Sequence, residues 1–361
     1  MLAGCLVLLS FQARITWAST SVLDFGAKGD SKSDDTAAFA RALAKCGGEL
    51  IVPEGVYRIA NLQIPAGTLV RGVGVRSVIT MPAKANAAVL PGDDCTLTDL
   101  RFEGAQDDKQ EAVGHGIILL RHVHGVRINR VSMERSSRAG ILTDHADDFS
   151  ITDSRFNKVA VGISIVFSHN GLVSGNVVQD AKGHGIQFWG NWEFKTKDAS
   201  DLVFIGNIIK NVGGGGIWGT GAVRVVMSGN TVDGAGDIAL DYEWCDDSTI
   251  VGNTVRNGVN AGISLFYGCM NITISANNVV VINGKQGERH GIWLTDPDRA
   301  KFAADPGHRT IGITGNTVRI ETEGDGPKRH AIYIGANSSD ITLSANTLVN
   351  GDILDRSRLR Q

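Results

Sequence analysis

Two short phrases alternate along most of the chain, from about residue 115 to residue 350. One sets a small residue before an isoleucine: HGIIL, AGILT, VGISI, HGIQF, GGIWG, DIALD, AGISL, HGIWL and HAIYI. The other carries an asparagine ahead of an apolar pair, as in LVSGNVV, VFIGNII, TIVGNTV and TLSANTL. Its Asn176, Asn207, Asn230, Asn253, Asn277, Asn316 and Asn346 recur about every 23 residues, with longer gaps where loops intrude. Both phrases are short, β-branched and alternating, with no period near 3.6, so they predict strands. A unit this small cannot bury its own apolar face. Stacked units can, with strands about 4.8 Å apart. The asparagines then belong at bends between strands, where the residue tolerates a left-handed backbone, and their side chains can stack as a ladder.

Aligning the Gly-Ile phrases as one parallel sheet points Ile117, Ile141, Ile163, Ile186, Ile217, Ile238, Ile263, Ile292 and Ile332 inward. The residue after each isoleucine then faces out, and so does the third one after it. The first set holds Ile118, Gln187, Trp218, Ala239 and Trp293; the second holds Leu120, Asp144, Trp189, Asp241 and Phe266. A slip of one residue would exchange the two faces.

The N-terminal segment VLDFGAKGDSKSDDTAAFARALAKCGGELIVPEGVYRI, residues 22–59, is different text. Asp34 or Asp35 can cap a helix from Thr36 to Lys45 whose apolar residues share a face. Such a helix would cover the open end of the first coil, where an exposed edge invites aggregation. The order D-F-G-A-x-G-D, D-D-T-x-A, helix, P-x-G-x-Y resembles the opening of the pectate-lyase-like superfamily, in particular its rhamnogalacturonase/epimerase-type members. That resemblance implies an all-β, right-handed parallel β-helix with a short N-terminal capping helix. The expected layout is one domain over residues 19–361, with its cap at about 22–60 and regular coils at about 92–350.

Composition narrows the setting. The 361 residues include 45 glycines, 42% are hydrophobic, and net charge is −3. No Gly-X-Y period is present, so the glycines indicate turns. No basic run suggests a nucleic-acid or membrane surface. The apolar stretch Met1 to Phe11 is too short to span a bilayer and reads as a signal-peptide core with a cleavage site near Ala18, residues 1–18. A secreted or periplasmic protein follows, with no membrane span in the mature chain. It is expected as a monomer, with a trimer as the alternative. Cys46, Cys95, Cys245 and Cys269 form no CxxC pair, so no metal site is expected; Cys245 and Cys269 are either a disulfide or free thiols.

The outer face of the Gly-Ile sheet carries the candidate chemistry. Gln187, Trp189, Trp218, Phe266 and Trp293 form an aromatic strip there, and Tyr242 is added as a sugar contact. Flat rings with polar edges suit sugars; the alternative is that loops cover them as a satellite core. LDYEWCDD, residues 240–247, occurs once. Its Asp241 and Glu243 are the candidate acid and base of glycoside hydrolysis, whereas Asp246 and Asp247 read as turn residues. An insertion, GNWEFKTKDASD, brings Trp192, Glu193, Lys195 and Lys197 over the strip. Asp144 lies four coils from Asp241, roughly 19 Å away. Histidines His115, His184, His290 and His330 precede the phrase, and His184 shares its coil with Gln187 and Trp189. Arg289, Asp296, Asp298 and Arg299 sit in long insertions of the eighth coil and either close the groove or decorate it.

Together these predict an enzyme on an acidic, uronate-containing polysaccharide, with glycoside hydrolysis first. Hydrolysis needs no cofactor. The alternative is a lyase or C5-epimerase. It would draw on Lys195, Lys197, Arg224, His184 and Tyr242, or on a Ca²⁺ held by Asp241, Glu243 and Asp246. A non-catalytic carbohydrate-binding β-helix is the third possibility. GHG at residues 114–116 and 183–185 is similar to a polygalacturonase motif, but that family's other signatures are missing in matching order.

Overall fold

The computed structural model describes residues 19–105, 114–190, 193–282, 290–321 and 330–358. The segment 1–18, Trp192 and Arg289 lie outside the described residues. Three sheets of 14, 13 and 12 strands run the length of the molecule, and each turn of the chain contributes one strand to each in rotation. The Gly-Ile phrases form the 12-stranded sheet, and their pairings are parallel throughout. The strands stack already from Leu62–Ile64, well before residue 92. Among the described residues no helix is long and apolar enough to cross a membrane.

The register of the Gly-Ile sheet differs from the expected one in two coils. In the first, Ile118 rather than Ile117 pairs with Ile141, so Leu119 and Arg121 take the outward places assigned to Ile118 and Leu120. In the sixth, Leu240 rather than Ile238 pairs with Ile217 and Ile263. Ile238 therefore faces out and Ala239 faces in, the reverse of the expectation. Asp241 and Glu243 keep their outward places.

The cause is a bend in each strand at the small residue. That residue and the next both face the core, which breaks simple alternation. The bend also explains why the phrase uses glycine. A Cβ on Gly162 would lie 2.4 Å from the Gly185 carbonyl oxygen and 2.8 Å from Val178 of the next sheet. Close packing leaves no such room.

The asparagine ladder is present, but its geometry corrects one premise. The left-handed residue is the one before each asparagine: Gly175, Gly206, Gly229, Gly252, Ala276, Gly315 and Ala345 all have positive φ. The asparagine instead turns inward and accepts from its counterpart one coil back. Asn207 Oδ1 takes the Asn176 backbone N–H at 3.1 Å, Asn230 takes that of Asn207 at 3.0 Å, and the series runs on to Asn346. Each Nδ2 donates to a core carbonyl, as Asn230 does to Phe204 at 2.9 Å. These bends are thus satisfied without water.

The helix Thr36–Leu43 closes the N-terminal end, burying Ala38, Phe39, Ala42 and Leu43 over the first coil. It stops two residues short of Lys45. Asp34 receives the Thr36 N–H at 2.9 Å, while Asp35, the residue at the cap position, turns its carboxylate to the N–H groups of Lys28 and Gly29.

Candidate functional site

Asp241 and Glu243 project from one strand, Ile238–Glu243, into a pocket of about 430 Å³. Its walls include Ile238, Phe266 and Trp293, with Asp237 and Asn260 at the near edge. Phe266 and Trp293 meet edge to face at 5.3 Å. Asp241 is 2% exposed and accepts the Ser264 hydroxyl at 2.7 Å. Burial raises its pKa well above the carboxylate range, the Glu243 charge adds to this, and Ser264 opposes it. Burial also raises Glu243 above its ordinary value, but the Trp218 indole N–H and the Lys301 ammonium partly offset that rise. Two acids one outward step apart thus sit in unequal surroundings.

The neighbouring coils extend this pocket into a groove. Trp218 pairs in register with Asp241 on one side and Gln187 on the other. Its ring stacks on His184 at 5.0 Å and meets Trp189 edge to face at 6.0 Å. His184, Gln187, Trp189 and Trp218 line a second cleft of about 400 Å³. Asp144 lies at its far end, paired with Arg121 at 2.8 Å and His145 at 2.7 Å.

Several sequence candidates stand elsewhere. Tyr242 is fully buried between the two acids' backbones, and its hydroxyl donates to the Val225 and Thr249 carbonyls. It is a core residue, not a sugar contact. Its ring meets Phe188 edge to face at 6.1 Å, and Phe188 fills the space at Gly219, where a Cβ would lie 1.9 Å from its ring. Arg224 lies in a different sheet's turn, bound through two nitrogens to Asp201. Lys195 is exposed and paired with Glu193 at 2.7 Å. Lys197 pairs with Asp246 and covers the Trp244 ring. Asp246 also accepts the Met270 N–H, so it does not converge with Asp241 and Glu243 as a calcium ligand would. Among the described residues no three His, Cys, Asp or Glu side chains are placed to hold a metal. Asp247 accepts from Asn271 in the turn. Cys245 and Cys269 are free, buried thiols that donate to carbonyls.

The site also holds residues the sequence reading passed over. Lys301 hangs over the Tyr267 ring at 4.7 Å and bonds its hydroxyl, close enough to Glu243 for their charges to interact. Asp298 positions it, accepting the backbone N–H groups of Ala300 and Lys301. Phe194, Trp244, Tyr267 and Phe302 pack as a cluster that pins the fourth-coil insertion at the groove's edge. Asp296 is held by Tyr333, Arg356 and the Ala336 N–H. Arg299 is exposed at a shallow pocket beside it. His290 and His330 stack at 5.6 Å at the groove's far end. The signal for Lys301 was the length of its loop, which sequence alone could not fold back onto a coil.

This chain is similar in structure to A-modules of mannuronan C-5 epimerases from Azotobacter vinelandii. For AlgE6 the TM-score is 0.78 at 19% identity, over 93% of this chain and 95% of that one. For AlgE4 it is 0.77 at 18%, over 92% and 97%. It is also similar to the DFA-IIIase of Arthrobacter chlorophenolicus A6, with TM-score 0.71 at 13% identity over 90% and 93%. At such identities the likeness is one of fold. The family model described as a right handed beta helix region matches residues 77–193 and 139–305, well over half the chain. The protein is therefore a member of the right-handed parallel β-helix family.

Proposed function

We propose that this protein is an exported carbohydrate-active enzyme that hydrolyses a glycosidic bond in a uronate-containing polysaccharide. The polymer lies along the outer face of the Gly-Ile sheet. The observation that carries this reading is the unequal pair Asp241 and Glu243 in one apolar-walled pocket. Hydrolysis needs one carboxyl protonated and one ionised, and divergent surroundings are how proteins separate such roles. Asp241, wholly buried, is the general acid. Ser264 occupies its Oδ1, leaving Oδ2 to carry the proton to the leaving oxygen. Glu243, stabilised as an anion by Trp218 and Lys301, activates water. Their Cα atoms, at adjacent outward positions, are about 6.6 Å apart, and this mechanism requires the two carboxyls to be spaced widely enough to hold that water between them. Trp293, Phe266 and Trp218 stack sugar rings. No cofactor enters this mechanism.

The pair Lys301–Tyr267 supports a second reading, elimination or C5-epimerisation. A lysine beside Glu243 could neutralise a uronate carboxyl while a base takes the adjacent proton. Mannuronan C-5 epimerase modules share the fold. A Ca²⁺ ion would have a role only under this reading.

Incubation with a panel of pectic, alginate and bacterial exopolysaccharides separates the two. New reducing ends without new ultraviolet absorbance support hydrolysis. Absorbance rising with them identifies β-elimination and overturns it. Neither signal, with an altered uronate composition, identifies epimerisation; an unchanged polymer that still binds identifies a non-catalytic protein.

A further inference from the structure

The cleft upstream of the acids has a composition of its own. It spans the coils of Ser164, Gln187 and Trp218, which pair in register, one to three strand spacings of about 4.8 Å from Asp241. Most of its lining is apolar; Asp144, His145 and Ser164 are paired with one another or with neighbouring protein groups, and two further polar side chains, His184 and Gln187, break that surface. Each has one end already committed to the protein. His184 Nδ1 accepts the Gly215 backbone N–H at 2.8 Å, which fixes the neutral tautomer and leaves Nε2–H as its donor. Gln187 Nε2 donates to Ser164 Oγ at 2.8 Å, which leaves the amide oxygen as an acceptor. One fixed donor and one fixed acceptor therefore stand beside the faces of Trp189 and Trp218.

This pairing suits a hydroxyl group or a neighbouring hydroxyl pair, which both donates and accepts. It does not suit a carboxylate, which only accepts. A uronate here would face the Gln187 oxygen and the Asp144 carboxylate. Arg121 and His145, at that end, are both already paired with Asp144. Charge enters the groove further on, where Lys301 lies near enough to Glu243 for their charges to interact.

We propose that the cleft between Asp144 and Trp218 is a binding subsite for an uncharged pyranose, held by His184 and Gln187 and packed against the rings of Trp189 and Trp218. This deepens the polysaccharide reading above and rests on it. It makes the substrate a mixed polymer: a neutral unit upstream and a uronate beside the acids.

The test is direct binding, measured by calorimetry and tryptophan fluorescence on the Asp241→Asn variant, so that no turnover intervenes. The probes are hexasaccharides of neutral sugars (β-1,4-glucan, β-1,4-mannan, β-1,4-xylan and α-1,4-glucan) and of uronates (galacturonate and mannuronate). At least one neutral probe is expected to bind. Gln187→Ala should weaken it about tenfold, the worth of one well-placed hydrogen bond, and Trp189→Ala by at least as much. Gln187→Lys should trade neutral for uronate binding. Both side chains face the cleft, so thermal stability should hold. The proposal falls if no neutral probe binds, or if uronates bind better and are lost in the same variants. Neutral binding without any polymer cleavage by the unaltered protein would uphold the subsite and sink the hydrolase. Cleavage with KM unchanged in Gln187→Ala and Trp189→Ala would do the opposite.

Discussion

Ser264 donates its hydroxyl to Asp241 across one coil, at 2.7 Å, beneath a surface that leaves the carboxyl 2% exposed. This is an isolated hydrogen bond to a group whose ionised form the pocket disfavours. Because the folded-state pKa lies above the unfolded one, the native state binds the extra proton. Stability is then greatest below the unfolded value, near pH 4, and falls as pH rises through the folded one. Asp241→Asn removes that burden. It should raise the melting temperature at neutral pH by about 2–4 °C, the shift that about 1 kcal/mol produces in a large domain. Under the hydrolytic reading it should also lower kcat by at least about a hundredfold. Calorimetry and kinetics on one preparation check both, and a melting temperature that drops would contradict the account of the pocket.

Trp218 supplies the contact that distinguishes Glu243 from Asp241. Its indole N–H lowers the Glu243 pKa, and its ring stacks on His184. Trp218→Phe keeps a flat ring and deletes the donor. Glu243 then needs a higher pH to ionise, so the acidic limb of the pH–kcat profile should move up. At the original optimum kcat should fall roughly tenfold, the cost of about 1.4 kcal/mol, with KM little altered. If the limb stays in place, Glu243 is not the ionised partner.

The sequence was most informative where packing repeats and least where it does not. Alternation alone placed Asp241 and Glu243 outward, because any strand shares that parity. The same parity puts Tyr242 inward, and Gly219 one coil earlier leaves room for the Phe188 ring that Tyr242 packs against. What failed was the assumption that each isoleucine opens the inward series. DIALD matches the phrase by letter, yet Leu240 holds the register and Ile238 walls the pocket, because the strand bends at its small residue. The ladder asparagines were legible as a series but not in mechanism, since their preceding glycine or alanine makes the turn. Lys301 was out of reach: its place depends on how a loop of the eighth coil folds back, and no period encodes that.

Tyr242 lies between the two acids in the chain and behind them in space. Tyr242→Phe removes a donor that the carbonyls of Val225 and Thr249 share. Buried acceptors left without a partner cost about 1–3 kcal/mol, so the melting temperature should fall by several degrees. Catalysis at a temperature where the variant is folded should match that of the unaltered protein. A large loss of kcat without a loss of stability would return Tyr242 to the site, against its burial.

Asn230 stands midway in the ladder, giving its backbone N–H to Asn253 and receiving that of Asn207. Its Nδ2 also donates to Phe204. Asn230→Ala leaves a backbone N–H and a carbonyl unpaired at once, both far from water. The loss should be about 2–4 kcal/mol, and Asn230→Asp should recover only the acceptor half. Because each unit touches only its neighbours, the damage should stay local. Hydrogen exchange should quicken in the coils of Asn207, Asn230 and Asn253 and stay unchanged at the capping helix. Uniform quickening along the whole chain would show that the solenoid opens as one unit.

His308 gives the fold an acid limit. Burial holds its pKa down to about 4, its Nδ1 accepts the Cys269 N–H at 3.2 Å, and its other nitrogen bonds the Thr295 carbonyl. The folded pKa is below the unfolded value near 6.5, so between those values the unfolded chain binds more protons. Stability from this group is therefore complete above about pH 6.5 and drains away as pH falls toward 4, by about 3 kcal/mol in all. His290, held down to about 4 by burial, adds to the same window. His308→Asn keeps an acceptor for Cys269 but does not titrate. Its melting temperature should start lower at neutral pH, because a smaller side chain leaves a gap. It should then decline less steeply than that of the unaltered protein between pH 6.5 and 4, with His290 supplying the slope that remains. Parallel slopes would mean that His308 is already solvated when the fold is intact, and the acid limit would then belong to His290 and the carboxylates.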